Sequence, residues 1–128
     1  METAKTIVVT SCLELWEQAQ RTGEYTQSTL TSTLEEVGFI HCSFPDQTLE
    51  IVNRKFRDRN DLVLLLVDVT KVKPTIKYED APSGRPGTFP HVYGPLNVDA
   101  VYAIVSLERD SEGVFITPAE FRPLLLVE

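Results

Sequence analysis

The chain has 128 residues, of which 42% are hydrophobic and 24% charged, and it carries a formal net charge of −7. That mixture is the ordinary globular one and argues against a disordered tail, and the length allows one continuous core without disulfide or metal support. The acidic balance argues against a nucleic-acid partner, because counterion release from phosphate backbones needs a positive face.

No apolar run approaches the roughly 20 residues of a spanning helix, so no membrane partner is expected. The start of the chain lacks the basic and apolar stretches of a secretion signal, and Cys12 and Cys42 are too few for a disulfide framework. The expectation is a cytoplasmic protein with one domain over residues 1–128, and a monomer.

In chain order, the β-branched stretch Ile7 to Val9 predicts a short first strand. Ser11 followed by Glu14 has capping-box spacing, Leu13, Trp16 and Ala19 form a helical stripe, and Gly23 supplies a stop. The Ser- and Thr-rich segment from Tyr25 to Thr33 predicts a loop with short turns. Phe39 to Cys42 reads as a strand carrying His41; Ser43 then serves as a cap, Pro45 opens a helix, and Leu49, Val52 and Phe56 give it an apolar stripe. The helix ends in Arg54, Lys55, Arg57 and Arg59, read as a solvated end whose cations complement the macrodipole.

The uninterrupted apolar run from Leu62 to Val69 predicts a central strand covered on both faces. Ile76 and Tyr78 alternate with Thr75, Lys77 and Glu79 as in a half-exposed strand. Pro82, Gly84, Pro86, Gly87 and Pro90 predict a loop from Asp80 to Pro90. An apolar run from Val98 to Leu107, a charged turn and a closing strand over Val114 to Thr117 complete the reading, with a mixed tail from Pro118. The fold class is α+β.

Chemistry gathers at the only two histidines, His41 and His91. An imidazole offers one donor and one acceptor and titrates near neutral pH, which suits hydroxyl recognition and proton transfer. If Phe89 to Tyr93 is extended, Phe89, His91 and Tyr93 share one face, while Pro90 and Pro95 fix the backbone and Gly94 permits unusual dihedrals. The alternative is a rigid turn whose aromatics fill the core, with His41 a satisfied buried polar group. Glu79 ends the strand before the Gly/Pro loop and could serve as a base, or simply be solvated. Metal-ligand spacing, a nucleophile elbow, and phosphate-loop and Rossmann glycine patterns are all absent, so no metal is expected.

The run Gly38 to Ser43, Gln47, the run Leu62 to Leu65, Glu79 and the run Phe89 to Leu96 together resemble the signature of the bacterial family called domain of unknown function 952. The resemblance extends from about Ile7 to Ile116 and includes Trp16, Ala19, Gly23 and Tyr25. It implies an ADP-ribosyltransferase-like architecture: a small split, mixed or antiparallel β-sheet with two main helices and NAD bound in a cleft between two small sheets. Carried over residue by residue, it implies His41 as ribose or amide ligand and Tyr93 as stacking partner. Glu79 becomes the stabiliser of an oxocarbenium-like transition state and His91 a second polar contact joining it in catalysis, with Ser43 and Phe89 further ligand contacts. The expected partner is a small-molecule nucleotide, and the expected activity ADP-ribosyl transfer with cleavage of the nicotinamide glycosidic bond. The other reading is a non-catalytic module that binds a small molecule or a protein through the same cleft. The chain departs from its relatives at Val8 or Val9, where they carry a polar residue, which bears on activity more than on fold. The stretch Thr29 to Glu36 resembles a small insertion at a cleft edge.

Overall fold

A computed structural model describes residues 6–81, 84 and 86–125. The predicted loop positions Pro82, Ser83 and Arg85, and the last residues of the predicted tail, lie outside the described residues.

β-Branched residues favour an extended chain, and Thr6–Cys12 forms β1. The helix α1, Leu13–Thr22, follows at once, buries Trp16 and Ala19, and ends at Gly23 in the left-handed conformation, φ 89°. Ser11 does not cap it. The strand runs one residue further than the sequence suggests, Cys12 takes the N-cap position, and the Ser11 hydroxyl instead accepts from the buried Tyr25 hydroxyl at 2.7 Å. Tyr25 lies in β2, Glu24–Tyr25, rather than in a loop. The short helix α2, Leu34–Val37, carries a full capping box between Thr33 and Glu36.

Next come β3, Ile40–His41, and α3, Pro45–Lys55, with Pro45 in the first turn. Ser43 does not cap α3 either. Its hydroxyl bonds the Thr48 hydroxyl at 2.8 Å, and Gln47 Oε1 accepts from the Phe44 amide at the helix entry. The strands β4, Leu62–Asp68, β5, Thr75–Asp80, and β6, Thr88–Tyr93, carry the middle of the chain. Pro90 therefore belongs to a strand and not to the preceding loop. The remaining elements are β7, Leu96–Asn97, β8, Val101–Ser106, β9, Glu108–Arg109, β10, Phe115–Ile116, and α4, Arg122–Leu125.

Two three-stranded antiparallel sheets dominate, ordered β1-β4-β8 and β3-β6-β5, beside the two-stranded pairs β2-β7 and β9-β10. The central β4 is covered on both faces, as its apolar run predicts: Val63, Leu65 and Val67 face one apolar cluster with Trp16, Tyr25 and Val92, and Leu62, Leu64 and Leu66 face another with Val52, Phe115 and Phe121. Removing each fully buried leucine from water stabilises the fold by about 1.5–3 kcal/mol. No helix of the described residues is long and apolar enough to cross a membrane.

Among the described residues the two larger sheets meet at one antiparallel bridge. Val8 of β1 donates to the Ser43 carbonyl at 2.8 Å and accepts from the Ser43 amide at 2.9 Å. Continued in register, that pairing would set Thr10 opposite His41. It does not continue: the His41 amide donates to the carbonyl of Ser28 at 3.1 Å, so the segment after β2 takes the bond that β1 would have received.

Candidate functional site

Side chains alternate across a strand, so β3, β6 and β5 present two unlike faces. Ile40, Val92 and Ile76 pair in register and pack into the core. The opposite face carries His41, His91 and Lys77, also in register, flanked by Phe39, Phe89, Tyr93 and Glu79. Phe89, His91 and Tyr93 thus share a face, as their spacing of two predicts.

His41 and His91 are direct cross-strand neighbours with ring centroids 5.7 Å apart, edge to face. Phe39 stacks on His91 at 4.1 Å and lies 4.7 Å from His41. Both imidazoles open on a cleft of about 300 Å³ where β1 and β3 part, walled by Val8 and Thr10 on one side and by Cys42, Ser43 and Phe89 on the other. Ser28, Thr29 and Leu30 line it as well, so part of the insertion-like stretch reaches the cleft. Arg54 and Lys55 at the end of α3 also line it, although the cationic cluster read as a merely solvated helix end.

Each ring is fixed through Nδ1. Glu79 Oε1 accepts from His91 Nδ1 at 2.8 Å and from the Tyr93 hydroxyl at 2.7 Å. Those two bonds, Tyr93 first, hold the Glu79 carboxyl below its usual range. An ionised carboxylate only accepts, so the His91 proton resides on Nδ1 and the lone pair on Nε2 when the ring is neutral. His91 is only 2% exposed, and among the described residues no buried side-chain nitrogen or oxygen lacks a partner. Nε2, which has no hydrogen-bond partner among the described residues, is therefore the atom the cleft reaches. The carboxylate in turn pushes the Tyr93 phenol up.

His41 Nδ1 lies 2.9 Å from Ser28 Oγ. Burial, then the neighbouring His91, depresses its proton affinity, and Lys55 adds to the effect. Cys42 is enclosed, and burial pushes its thiol far up, which rules out a ready thiolate.

Among the described residues neither Glu79 nor Tyr93 lines the cleft; they stand behind His91, with Lys77 4.7 Å over the Tyr93 ring. Ser43 is at the wall but is hydrogen-bonded to Thr48. No group of three or more His, Cys, Asp or Glu side chains among the described residues could hold a metal ion. Sequence reasoning missed Ser28, Thr10, Arg54 and Lys55. A cationic run in so acidic a chain is the available signal for the last two, and the Ser- and Thr-rich segment from Tyr25 to Thr33 for the first.

A family model described as "Protein of unknown function (DUF952)" matches residues 11–104. The crystal structure of protein CC0527 from Caulobacter crescentus is similar at 29% identity with a TM-score of 0.74, covering 95% of this chain and 99% of that one. The solution structure of CC0527 gives 30% identity and a TM-score of 0.69, covering 95% and 98%. No curated protein matches the chain.

Proposed function

The chain belongs to the DUF952 family, and from that premise we propose that the cleft between its two larger sheets binds NAD or a related nucleotide, in the manner of an ADP-ribosyltransferase-like protein. The observation that carries the reading is the His41–His91 pair, whose two rings share one cleft and are each fixed through Nδ1. Two imidazoles with ring centroids 5.7 Å apart suit adjacent hydroxyls of a ribose. At about 300 Å³ the cleft holds the reacting end of a dinucleotide and leaves the rest across the rim.

In the catalytic form of this proposal, the bond between the ribose C1′ and the nicotinamide nitrogen breaks, and its electron pair stays with nicotinamide. An acceptor hydroxyl bonds to C1′ and gives its proton to His91 Nε2. Glu79 keeps the imidazole in the accepting tautomer and stabilises the imidazolium, as a hydrogen-bonded carboxylate does in general base catalysis. Phe89 and Ser43 contact the ligand from the wall, and Tyr93 acts through Glu79.

One feature favours the second reading, a non-catalytic binding module. No carboxylate of the described residues lines the cleft, so none faces a developing positive charge directly. Titrating NAD and ADP-ribose while following backbone amide shifts tests both. Perturbation at Gly38–Ser43 and Phe89–Leu96 is expected, and silence at millimolar ligand overturns the nucleotide reading. His41→Ala and His91→Ala then separate the two: loss of nicotinamide release marks an enzyme, and loss of affinity without turnover marks a binder.

A further inference from the structure

We infer that the end of the cleft at Arg54 and Lys55 is a phosphate subsite, taking a phosphate of a nucleotide-type ligand whose sugar lies against His41 and His91. The inference rests on the nucleotide reading above and adds the group that reading leaves unplaced. Of the fifteen described residues lining the cleft, Arg54 and Lys55 carry formal positive charge and none is acidic. The chain holds 19 acidic against 12 basic residues, so a wall of that size drawn evenly from it would contain about two carboxylates. The cleft is thus a positive recess in a negative molecule, and its low-dielectric walls of Val8, Leu30, Ile51 and Phe56 focus that field.

The cations also complement the negative end of the α3 macrodipole, but that function requires no cleft. Arg54 pairs with Glu50 through Nε, 3.6 Å from Glu50 Oε2 and too far for a hydrogen bond, and among the described residues no hydrogen bond engages the terminal nitrogens of the guanidinium. Lys55 is close enough to His41 for its charge to act on the imidazole. The hydroxyls of Thr10 and Thr29 add neutral donors of the kind that complete a phosphate cradle.

The test compares AMP, adenosine, inorganic phosphate and NAD on the wild-type protein and on the Arg54→Gln/Lys55→Gln variant, by amide and imidazole shifts. AMP should bind about tenfold or more tightly than adenosine, the value of one charge-assisted hydrogen bond. The variant, altered only at exposed positions, should lose that preference, and added salt should erode it in the wild type. Equal affinity for AMP and adenosine, or unchanged AMP and NAD binding in the variant, overturns the subsite while leaving the nucleotide reading intact. Shifts with phosphate and AMP but none with NAD overturn the NAD reading and support the subsite. Silence with all four overturns both.

Discussion

Glu79 and His91 share a 2.8 Å hydrogen bond across a steep gradient of exposure, with the imidazole side chain 2% exposed and the carboxylate 39%. The acid is anchored in solvent and the ring points inward. The carboxylate therefore stays ionised easily while it dictates where the buried ring carries its proton. Glu79→Gln removes that dictation. The His91 ring should then populate both tautomers, read from its nitrogen shifts, and the Tyr93 phenol should titrate lower than in the wild type, read from its ultraviolet absorbance.

The same bonds set an acid limit on stability. The folded Glu79 carboxyl titrates below its ordinary value of 4.5, so the unfolded chain binds the proton more readily. The contribution is complete above about pH 4.5 and is lost as pH falls through the lower folded value. Urea midpoints between pH 6 and 3 should fall less steeply for Glu79→Gln than for the wild type.

His41 gives a second pH dependence at a higher window. Its folded proton affinity is depressed below the ordinary value of 6.5, so its neutral form contributes stability above that pH and loses it as pH falls through the folded value. Imidazole carbon shifts should place the His41 titration below 6.5. His91→Asn removes the neighbouring imidazole whose charge, when it is protonated, opposes protonation of His41, and should move that titration upward.

Gly94 is held at φ 155°, and a Cβ built there would stand 2.8 Å from Pro74 Cβ. Neither a proline ring nor its backbone can yield cheaply. Gly94→Ala should cost about 1–3 kcal/mol, measured as a fall in the thermal midpoint.

Tyr25 is 2% exposed and its hydroxyl donates to Ser11 at 2.7 Å, while Ser11 itself is fully buried. Tyr25→Phe strands the serine oxygen with only a 3.5 Å contact to the Cys12 carbonyl. A loss of about 1–3 kcal/mol in chemical denaturation is expected. Tyr25→Phe combined with Ser11→Ala should recover part of it.

Much of this fold is legible where local pattern and burial agree. The apolar run of β4 is best read as a strand enclosed on both sides, and alternation around His91, if that segment is extended, forecasts the shared face of Phe89, His91 and Tyr93. Neither serine serves as a cap because each hydroxyl bonds another hydroxyl, Ser11 that of Tyr25 fourteen residues on and Ser43 that of Thr48 inside α3, pairings that N-cap patterns do not weigh. Ser28 was beyond reach for the same reason, since its bonds to His41 depend on a loop entering between two strands. Arg54 and Lys55 were read from their own helix alone, yet it is the parting of β1 from β3 that makes a recess beside them.

The Val8–Ser43 bridge is the seam between the two larger sheets, fastened by a single reciprocal pair of amides before the strands diverge. Any molecule that touches Thr10 and His41 together acts as a second stitch, spanning the gap that Ser28 prevents the backbone from closing. Occupancy is thereby coupled to cohesion: a guest seated in the gap should slow the exchange of amides in both sheets at once, including amides far from its own contacts.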